Sequence, residues 1–429
     1  MSSRQAAGAV TRRGFIGAMA AAVGSRAVGR SCTARAAAPE AAGPSGLIAR
    51  ISRSIVWEGR KSNPDWAWFH PRACMVPGPS GLKALMTLQT ASGSDYFGPV
   101  HWSTSSDLGA SWTDPRPVPG LGRRTIGQDR QEGVCDVVPE YHAKTGTVLA
   151  IGHNVYYESG HLARPQGPRY PVYIVLDAQG RWSAMQKLIW DDPSGEAIYT
   201  CGCSQRSVLP DGRLLIPLSF GSKKRTDRSV TTALCQFDGR KISVEKVGKE
   251  LRLAKGRGLL EPSLALLDGR HYMTIRAEDG RGYVTSSDDG LDWDEQKAWA
   301  WDDGAPLAMS TTQQHWLVHN EGLWLVYTRK AEKNVNVFRW RAPLYAAAVD
   351  REKLRLVRSS EQIVFPLVGD GVKDPKHVAR MGNFHVTAAS AEQSWVTVGE
   401  CLPYDDWRGD LLLARIHWNR PNRLAPKAG

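Results

Sequence analysis

Several charged and imidazole side chains stand at equal distances from glycines in turn-like positions, which predicts that they meet in space. Arg276, Arg329 and His153 each stand seven residues after such a glycine, and Glu261 and Gln314 each stand eight residues before one. Guanidinium groups that converge on one point repel each other unless an anion or carboxylates compensate their charge. The spacing therefore predicts an anion site, and a carboxylate ligand suits it because guanidinium binds carboxylates in a bidentate manner.

The elements that must position these side chains follow a pattern that occurs six times along the chain. Each copy has a short strand of mixed polarity, a turn that usually contains glycine, and a second, apolar strand. Such runs around a glycine-bearing turn predict β-hairpins. The six hairpins span 72–88, 135–151, 205–218, 261–275, 313–327 and 383–398.

The spacing of the hairpins predicts how they assemble. Their turns lie near positions 81, 146, 212, 269, 322 and 392, roughly 53 to 70 residues apart, which suits a four-stranded unit with variable outer loops. Apolar runs between the hairpins, such as 172–176 and 344–349, supply further strands. We therefore expect an all-β fold, a six-bladed β-propeller, in which the inner strands bring polar residues of different blades together on the axis. An array of β-sandwiches is the alternative.

A pattern of eight residues, Ser-x-Asp-x-Gly-x-x-Trp, occurs at 105–112 and again at 286–293, with a degenerate version at 177–182. The aspartate can accept backbone N–H bonds within a turn, glycine supplies a positive φ, and tryptophan covers the hairpin. Asp107 and Asp288 are therefore expected to be structural and remote from the binding site. The pattern resembles the Asp-boxes, or BNR repeats, of sialidases and related propellers, and the resemblance covers roughly residues 50 to 420.

This resemblance implies a set of site residues. Sialidases carry an arginine at the start of blade one, and Arg72 matches it, although the usual Arg-Ile-Pro reads Arg-Ala-Cys here. Asp95 matches the family's catalytic aspartate, and Glu261 and Arg276 keep the family's separation of 15 residues. The third arginine of the family and its last acid have the candidates Arg329, Arg339, Arg341 and Glu400.

Blade six departs from the family pattern. Sialidases use a tyrosine nucleophile on its first strand, whereas this strand reads Gly-Asn-Phe-His-Val at 382–386, and the nearest tyrosine downstream is Tyr404. His385 is the nearest ionisable group on that strand, and an imidazole can act as a base near neutral pH. We therefore expect inverting hydrolysis with Asp95 as the acid, or elimination with His385 as the base. Further proton-transfer candidates are His153, His315 and Tyr96, and the segments 313–316, which includes Gln314, and 132–136 are expected to line the pocket.

The function expected from the resemblance is that of an exo-acting glycoside hydrolase, which releases a terminal acidic sugar, sialic acid or a relative, from a glycan. A polysaccharide lyase that acts on a uronic-acid glycan and a carbohydrate-binding propeller without activity are the alternatives, because a fold alone does not fix a function. An acidic glycan is the expected partner, and no cofactor is expected.

The N-terminus predicts export. Thr-Arg-Arg-Gly-Phe-Ile at 11–16 resembles a twin-arginine motif, a short apolar stretch follows at 15–23, and Ala-Arg-Ala at 34–36 resembles a cleavage site. The apolar stretch is too short to span a bilayer. We expect a signal peptide over 1–36, a linker over 37–50, the propeller over 51–420 and a tail over 421–429, in a protein of the bacterial periplasm or exterior.

Charge and cysteine content exclude other classes of function. The net charge is +12, but residues 1–36 hold six arginines and no acid, so the mature chain would carry +6. This mild excess suits an anionic ligand better than a nucleic-acid groove, and no dense basic run is present. The cysteines after position 36 lack the spacing of zinc ligands, so we expect buried thiols and no metal.

Overall fold

The computed structural model describes residues 46–59, 66–402 and 408–428, and this part of the chain forms six antiparallel sheets arranged as the blades of a propeller. The predicted fold is confirmed. Strand β1 (Ile48–Trp57) comes first in the chain but belongs to the sixth sheet.

The remaining strands follow blade by blade. Blade one contains β2 (Ala67–Gly78), β3 (Gly81–Gly93), β4 (Tyr96–Ser105) and β5 (Arg116–Pro117). Blade two contains β6 (Arg124–Thr125), β7 (Arg130–His142), β8 (Thr147–Glu158), β9 (His161–Leu162), β10 (Pro171–Leu176) and β11 (Gln186–Lys187). Blade three contains β12 (Ile198–Thr200), β13 (Ser207–Val208), β14 (Leu214–Gly221), β15 (Ser229–Phe237), β16 (Ile242–Val247) and β17 (Leu251–Arg252).

Blade four contains β18 (Leu260–Leu267), β19 (Arg270–Arg276), β20 (Gly282–Ser287) and β21 (Lys297–Ala298). Blade five contains β22 (His315–His319), β23 (Gly322–Tyr327), β24 (Leu344–Asp350), β25 (Arg355–Leu356) and β26 (Gln362–Phe365). Blade six contains β27 (Arg380–Met381), β28 (His385–Ser390), β29 (Gln393–Cys401) and β30 (Leu411–Trp418) together with β1. Short 3₁₀ turns occur at Pro193–Gly195, Glu332–Asn334, Phe338–Trp340, Arg358–Ser360 and Pro375–His377.

The six predicted hairpins form the inner part of each blade. They correspond to the pairs β2–β3, β7–β8, β13–β14, β18–β19, β22–β23 and β28–β29. All these pairs are antiparallel, as the glycine-bearing turns predict. The glycine turns therefore lie at one end of every blade, and the residues before the first strand and after the second lie at the other end.

The two ends of the chain close the ring. Strand β1 pairs with β30 from Ile48 opposite Trp418 to Trp57 opposite Leu411, so the start of the chain forms the outer strand of the last blade. The propeller thus begins three residues before the expected boundary. Beyond position 420, Asn422 is buried and donates to the carbonyl oxygen of Val318, so part of the expected tail packs on blade five.

The hydrophobic core lies between neighbouring blades. Because side chains alternate between the two faces of a strand, each inner strand sends apolar residues to both adjacent blades. Blades five and six, for example, share a cluster in which Trp324, Val326 and Leu344 pack with Val386, Val396 and Leu412. Similar clusters occupy the junctions of the other blades, so the stability of the ring arises mainly from these packed interfaces.

The two Ser-x-Asp-x-Gly-x-x-Trp segments form turns at the glycine-turn end of blades one and four. Asp107 accepts the backbone N–H of Ser111 at 2.9 Å. The carboxylate that holds the second turn is Asp289, not the expected Asp288, because Asp289 accepts the N–H groups of residues 291 and 292 at 2.8 Å. Asp288 instead pairs with Arg270 on the surface at 3.2 Å. The motif therefore predicted the turn, but the neighbouring acid took the structural role.

Neither the expected signal peptide nor most of the expected linker belongs to the described residues. Within the described ranges, no helix has the length and apolar character needed to cross a membrane. The cysteines at positions 74, 135, 201, 203, 235 and 401 are buried and carry free thiols.

Candidate functional site

A cavity of about 550 Å³ opens on the axis of the propeller, at the end of the blades opposite the glycine turns. Strand β19 shows this arrangement of the two ends. Arg270 adjoins the glycine turn, and Arg276, at the other end of the strand, lines the cavity. Asp107, Asp288 and Asp289 do not line it. Antiparallel pairing separates the two ends of the blade by the full length of the strands, so the turns with the tryptophan motif are remote from the cavity, as predicted.

Three inner strands carry the same irregularity where they reach the cavity. Each has a shift in register at this point, between residues 69 and 72, 135 and 138, and 260 and 263. Within these bulges His70, Asp136 and Glu261 have positive φ values of 52°, 58° and 45°. A non-glycine residue pays a steric penalty in this conformation, which persists where the surrounding fold imposes it and is common at functional sites. A bulge redirects a side chain, and all three of these side chains line the cavity.

Glu261 and Arg276 form an ion pair in the cavity wall. Arg276 Nη1 donates to Glu261 Oε1 at 2.5 Å, and its Nε donates to Thr311 at 3.2 Å. The other carboxylate oxygen of Glu261 is buried and has no hydrogen-bond partner in the protein. Arg276 is therefore held in place by Glu261.

Asp136 is the centre of a second polar cluster. It accepts from Arg72 at 2.5 Å and lies 3.6 Å from the Nε2 atom of His70 and 4.0 Å from that of His153. Burial raises the pKa of Asp136, but its interactions with His70 and Arg72 outweigh burial and hold the pKa below its usual value. Burial lowers the pKa of His70 to about 4 and that of His153 to about 3. Asp136 is therefore ionised at neutral pH, and both imidazoles are neutral.

Cys135 completes a group of metal-ligand types in this cluster. Its sulfur, the Asp136 carboxylate and a nitrogen of His153 all lie within 4.8 Å of one another. Cysteine, aspartate and histidine are zinc ligands. However, Arg72 already binds Asp136, and Arg169 contributes a further positive charge near His153. This positive environment disfavours a cation.

Arginine dominates the cavity wall. Among the described residues, eight arginines but only four carboxylates line the cavity. Burial, together with the charges of Arg276 and Arg339, lowers the pKa of Arg341 to about 10, which reflects the crowding of positive charge. The cavity therefore favours an anionic ligand. The lining arginines are residues 164, 169, 228, 257, 276, 339, 341 and 380, and the carboxylates are residues 95, 136, 261 and 278.

The structure brings half of the predicted site residues together. Asp95, His153, Glu261, Arg276 and Arg341 all line the cavity. Asp95 lies in the turn between β3 and β4 and has a φ of 55°. The residue is exposed, so its carboxylate at the cavity wall is within reach of solvent. The predicted residues that do not line the cavity are Arg72, Gln314, Arg329, His385 and Glu400.

Arg329 lies outside the cavity because of a difference between two turns. In blade four Leu267 pairs with Arg270 and Gly269 lies within the turn, whereas in blade five Gly322 is itself paired, with His319. Counting seven residues from each glycine therefore reaches opposite faces of the two strands. Arg329 instead binds Glu361 through two hydrogen bonds, of 2.7 and 2.5 Å.

Arg72, His315 and His385 occupy a layer beneath the cavity. They face Thr87, Val326 and Thr397 across the hairpins of blades one, five and six. Each is at most 4% exposed. The rings of His315 and His385 are 5.3 Å apart, and burial lowers the pKa of His385 well below 6.5. Arg72 contacts the site through its hydrogen bond to Asp136. His385 is too buried to contact a ligand in the cavity, so its position does not support the expected role as a base.

Gln314 and Glu400 are buried behind the cavity wall. Gln314 accepts a hydrogen bond from Thr274 at 2.5 Å and packs against Gly282, so it connects blades four and five. Glu400 lies on β29 opposite Met381 and is 4% exposed. Both residues support the wall rather than face the cavity.

Sequence patterns did not indicate the arginines that the connections between strands bring to the cavity. Arg169 comes two residues before β10, Arg228 comes directly before β15, and Arg257 comes three residues before β18. No repeated spacing pointed to them, because the connections differ in length. His70 was also missed, although it stands two residues before Arg72. Tyr404 lies outside the described residues.

Comparisons with known proteins bear on the fold. No protein-family model and no curated protein matches this chain. Solved structures do match. The fold is that of sialidase-like propellers. A protein of unknown function from Dyadobacter fermentans aligns with a TM-score of 0.61 and 12% identity over 87% of this chain and 100% of that one.

Two sialidases are also similar in structure. A Hadza microbial sialidase aligns with a TM-score of 0.58 and 15% identity over 85% of this chain and 68% of its own. Trypanosoma rangeli sialidase, in complex with the inhibitor DANA, aligns with a TM-score of 0.58 and 13% identity over 86% of this chain. The match spans only 60% of the Trypanosoma enzyme. At this identity the likeness concerns the fold and does not extend to an activity.

Proposed function

We propose that the protein is an exo-acting glycoside hydrolase of sialidase type that releases a terminal acidic sugar from a glycan. The observation that carries the proposal is the axial cavity with its excess of arginine over carboxylate. Arg276, held by Glu261, and Arg341 would bind the carboxylate of the sugar. The sialidase-like fold supports the choice of a sugar over other anions.

Asp95 is the general acid of the proposed reaction. It is exposed at the cavity wall, so it can exchange protons with solvent and donate one to the leaving oxygen. Glu261 lines the same cavity and would accept a proton from the attacking water. No tyrosine lines the cavity within the described ranges. A direct attack by water, with inversion at the anomeric carbon, is therefore the proposed course.

One observation favours a lyase as the second candidate. His153 faces the cavity as a neutral imidazole beside Arg169. A neutral imidazole can remove the proton next to a uronate carboxylate, while the arginines stabilise the resulting negative charge. The base of the lyase reaction would then be His153 and not His385.

Product analysis separates the two candidates. The purified protein is incubated with sialosides and with uronic-acid oligosaccharides, and the products are followed by ultraviolet absorbance and by proton NMR. Hydrolysis gives a free sugar of inverted anomeric configuration, whereas elimination gives a C=C bond that absorbs in the ultraviolet. Equal turnover of neutral and acidic glycosides would contradict both candidates, and binding without turnover would leave a carbohydrate-binding propeller.

We also propose that the protein is exported through the twin-arginine pathway. The support is the sequence of residues 11–16, which lie outside the described residues. Replacing Arg12 and Arg13 together by lysine should retain the protein in the cytoplasm of a bacterial host. Unchanged export of that variant would contradict the proposal.

A further inference from the structure

The arginines of the cavity include two groups on different blades. The first group consists of Arg276, Arg339 and Arg341, from blades four and five. The second group consists of Arg169, Arg228 and Arg257, from the connections in blade two, in blade three and between blades three and four. The proposed function uses Arg276 and Arg341 of the first group and gives the second group no role.

The backbone holds Arg228 and Arg257 side by side. The N–H of Arg228 donates to the carbonyl oxygen of Arg257 at 2.8 Å, and the N–H of Leu259 donates to the carbonyl oxygen of Arg228 at 3.0 Å. Gly258, between them, permits this contact, because a Cβ atom there would lie 2.2 Å from the carbonyl oxygen of Arg228. The main chain therefore holds the two arginines next to each other at the edge of the cavity.

An equivalent junction holds Arg169. Its carbonyl oxygen accepts from the N–H of Tyr199 at 3.0 Å, and its Nε donates to the carbonyl oxygen of Asn154 at 2.7 Å. Ile198 pairs with Gly221, and a Cβ atom at Gly221 would lie 3.7 Å from the side chain of Arg228. Arg169 and Arg228 thus flank the same end of blade three.

The positive charge of this group is poorly compensated. No carboxylate lies within ion-pair distance of Arg169 or Arg228 in the described part of the chain. Arg257 is paired with Glu278, which also lies 3.8 Å from Arg276 of the first group. Burial, with the charges of Arg169 and Arg257, lowers the pKa of Arg228 to about 10. Such a concentration of guanidinium groups is unfavourable unless an anion binds to it.

We propose that the cavity accepts a substrate with two anionic groups. The first arginine group binds the carboxylate of the terminal sugar, and the second group binds a further carboxylate or a sulfate, on the adjacent sugar or on the same one. This inference rests on the proposed function, since it assigns the first group to the terminal acid. A cavity of about 550 Å³ has the size of sites that bind drug-sized ligands, so it has room for a disaccharide.

Calorimetric titration of the purified protein tests the inference. The singly charged probes are N-acetylneuraminic acid and galacturonic acid. The doubly charged probes are disialic acid and digalacturonic acid, which add a carboxylate, and a sulfated form of each monosaccharide, which adds a sulfate. At least one doubly charged probe should bind about 10- to 100-fold more tightly than its singly charged parent. Whether the added carboxylate or the added sulfate produces this gain identifies the second anion of the substrate.

Variants connect that gain to the second arginine group. Arg228→Gln and, independently, Arg169→Gln should remove the gain and leave the affinity for the singly charged probe unchanged. The matched control is Arg181→Gln, which removes the same charge from an exposed residue that pairs with Asp177. Circular dichroism verifies the fold of each variant.

The alternative results separate this inference from the proposed function. Equal affinity for singly and doubly charged probes, or a gain that persists in both variants, would overturn the inference. The proposed function would then stand if Arg276→Gln abolishes binding of the singly charged probe. Absence of binding of every acidic probe would overturn both.

Discussion

The two ends of the blades differ in the groups that compensate their charged side chains. At the glycine-turn end, carboxylates such as Asp107 and Asp289 accept backbone N–H groups from their own turns and are satisfied within a few residues. At the cavity end, carboxylates bind guanidinium groups that come from other strands or other blades, as Asp136 binds Arg72. Positive charge remains in excess there. The turn end is thus built for stability, and the cavity end for a ligand.

Backbone conformation shows the same contrast. Positive φ values at the turns fall mainly on glycines such as Gly269, where they carry no steric penalty, although its neighbour Asp268 also adopts one. At the cavity end they fall on His70, Asp136 and Glu261, where they do. We infer that the cavity end retains local strain that the packed ring compensates. Substitutions at the cavity end should therefore change mainly the activity, and substitutions at the turn end should change mainly the stability.

The largest effect is expected for Asp95→Asn. If Asp95 is the acid, hydrolysis of an alkyl-linked acidic sugar should slow by about 100- to 10,000-fold. The loss should be much smaller for an aryl glycoside, whose leaving group needs little protonation. Asparagine tolerates the positive φ at this position, so the fold should persist. Rates with the two substrates provide the measurement, and the same loss with both would argue against the assignment.

A smaller loss is expected for Arg276→Gln. Removing one charged hydrogen bond to the sugar carboxylate should lower kcat/KM by on the order of 100-fold. Any turnover or binding of a matched neutral glycoside should change little. Steady-state rates with acidic and neutral substrates measure the difference, and a loss of equal size with both would assign Arg276 to the support of the wall.

Stability should fall with acid because of the buried imidazoles. The pKa values of His70 and His153 are lowered to about 4 and about 3, below the unfolded value of 6.5. The unfolded chain therefore binds more protons, and stability that is present above about pH 6.5 is lost as the pH falls towards the folded values. Each group contributes up to about 1.4 kcal/mol per pH unit. Urea unfolding at several pH values measures the slope, which His153→Gln should reduce.

The smallest effects are expected at the turn end. Asp289→Ala removes the acceptor of two backbone N–H groups and should lower the free energy of unfolding by about 1–2 kcal/mol, as the loss of a helix cap does. Asp288→Ala, the matched control, removes only a surface ion pair and should have no measurable effect. Activity should be normal in both variants. Equal destabilisation by both would contradict the assignment of the turn to Asp289.

The sequence predicted the fold well because its signals are local. A hairpin depends on alternation and on a turn glycine a few residues away, so all six hairpins were found. The pairing of β1 with β30 was not predicted, because its two strands lie at opposite ends of the chain. The site was predicted only in part. Glu261 and Arg276 face each other across one hairpin, whereas Arg329 was misplaced by a difference of one residue in a turn.

The sequence by itself therefore determined the hairpins, their turns and the end of each blade at which a given residue lies. The tertiary structure decided which side chains face the cavity. Bulges at His70, Asp136 and Glu261 redirect side chains at the ends of their strands. Arg169, Arg228 and Arg257 belong to connections that meet only when the blades assemble. The physical reason is that a strand alternates its faces at every residue, so a shift of one position reverses the direction of a side chain.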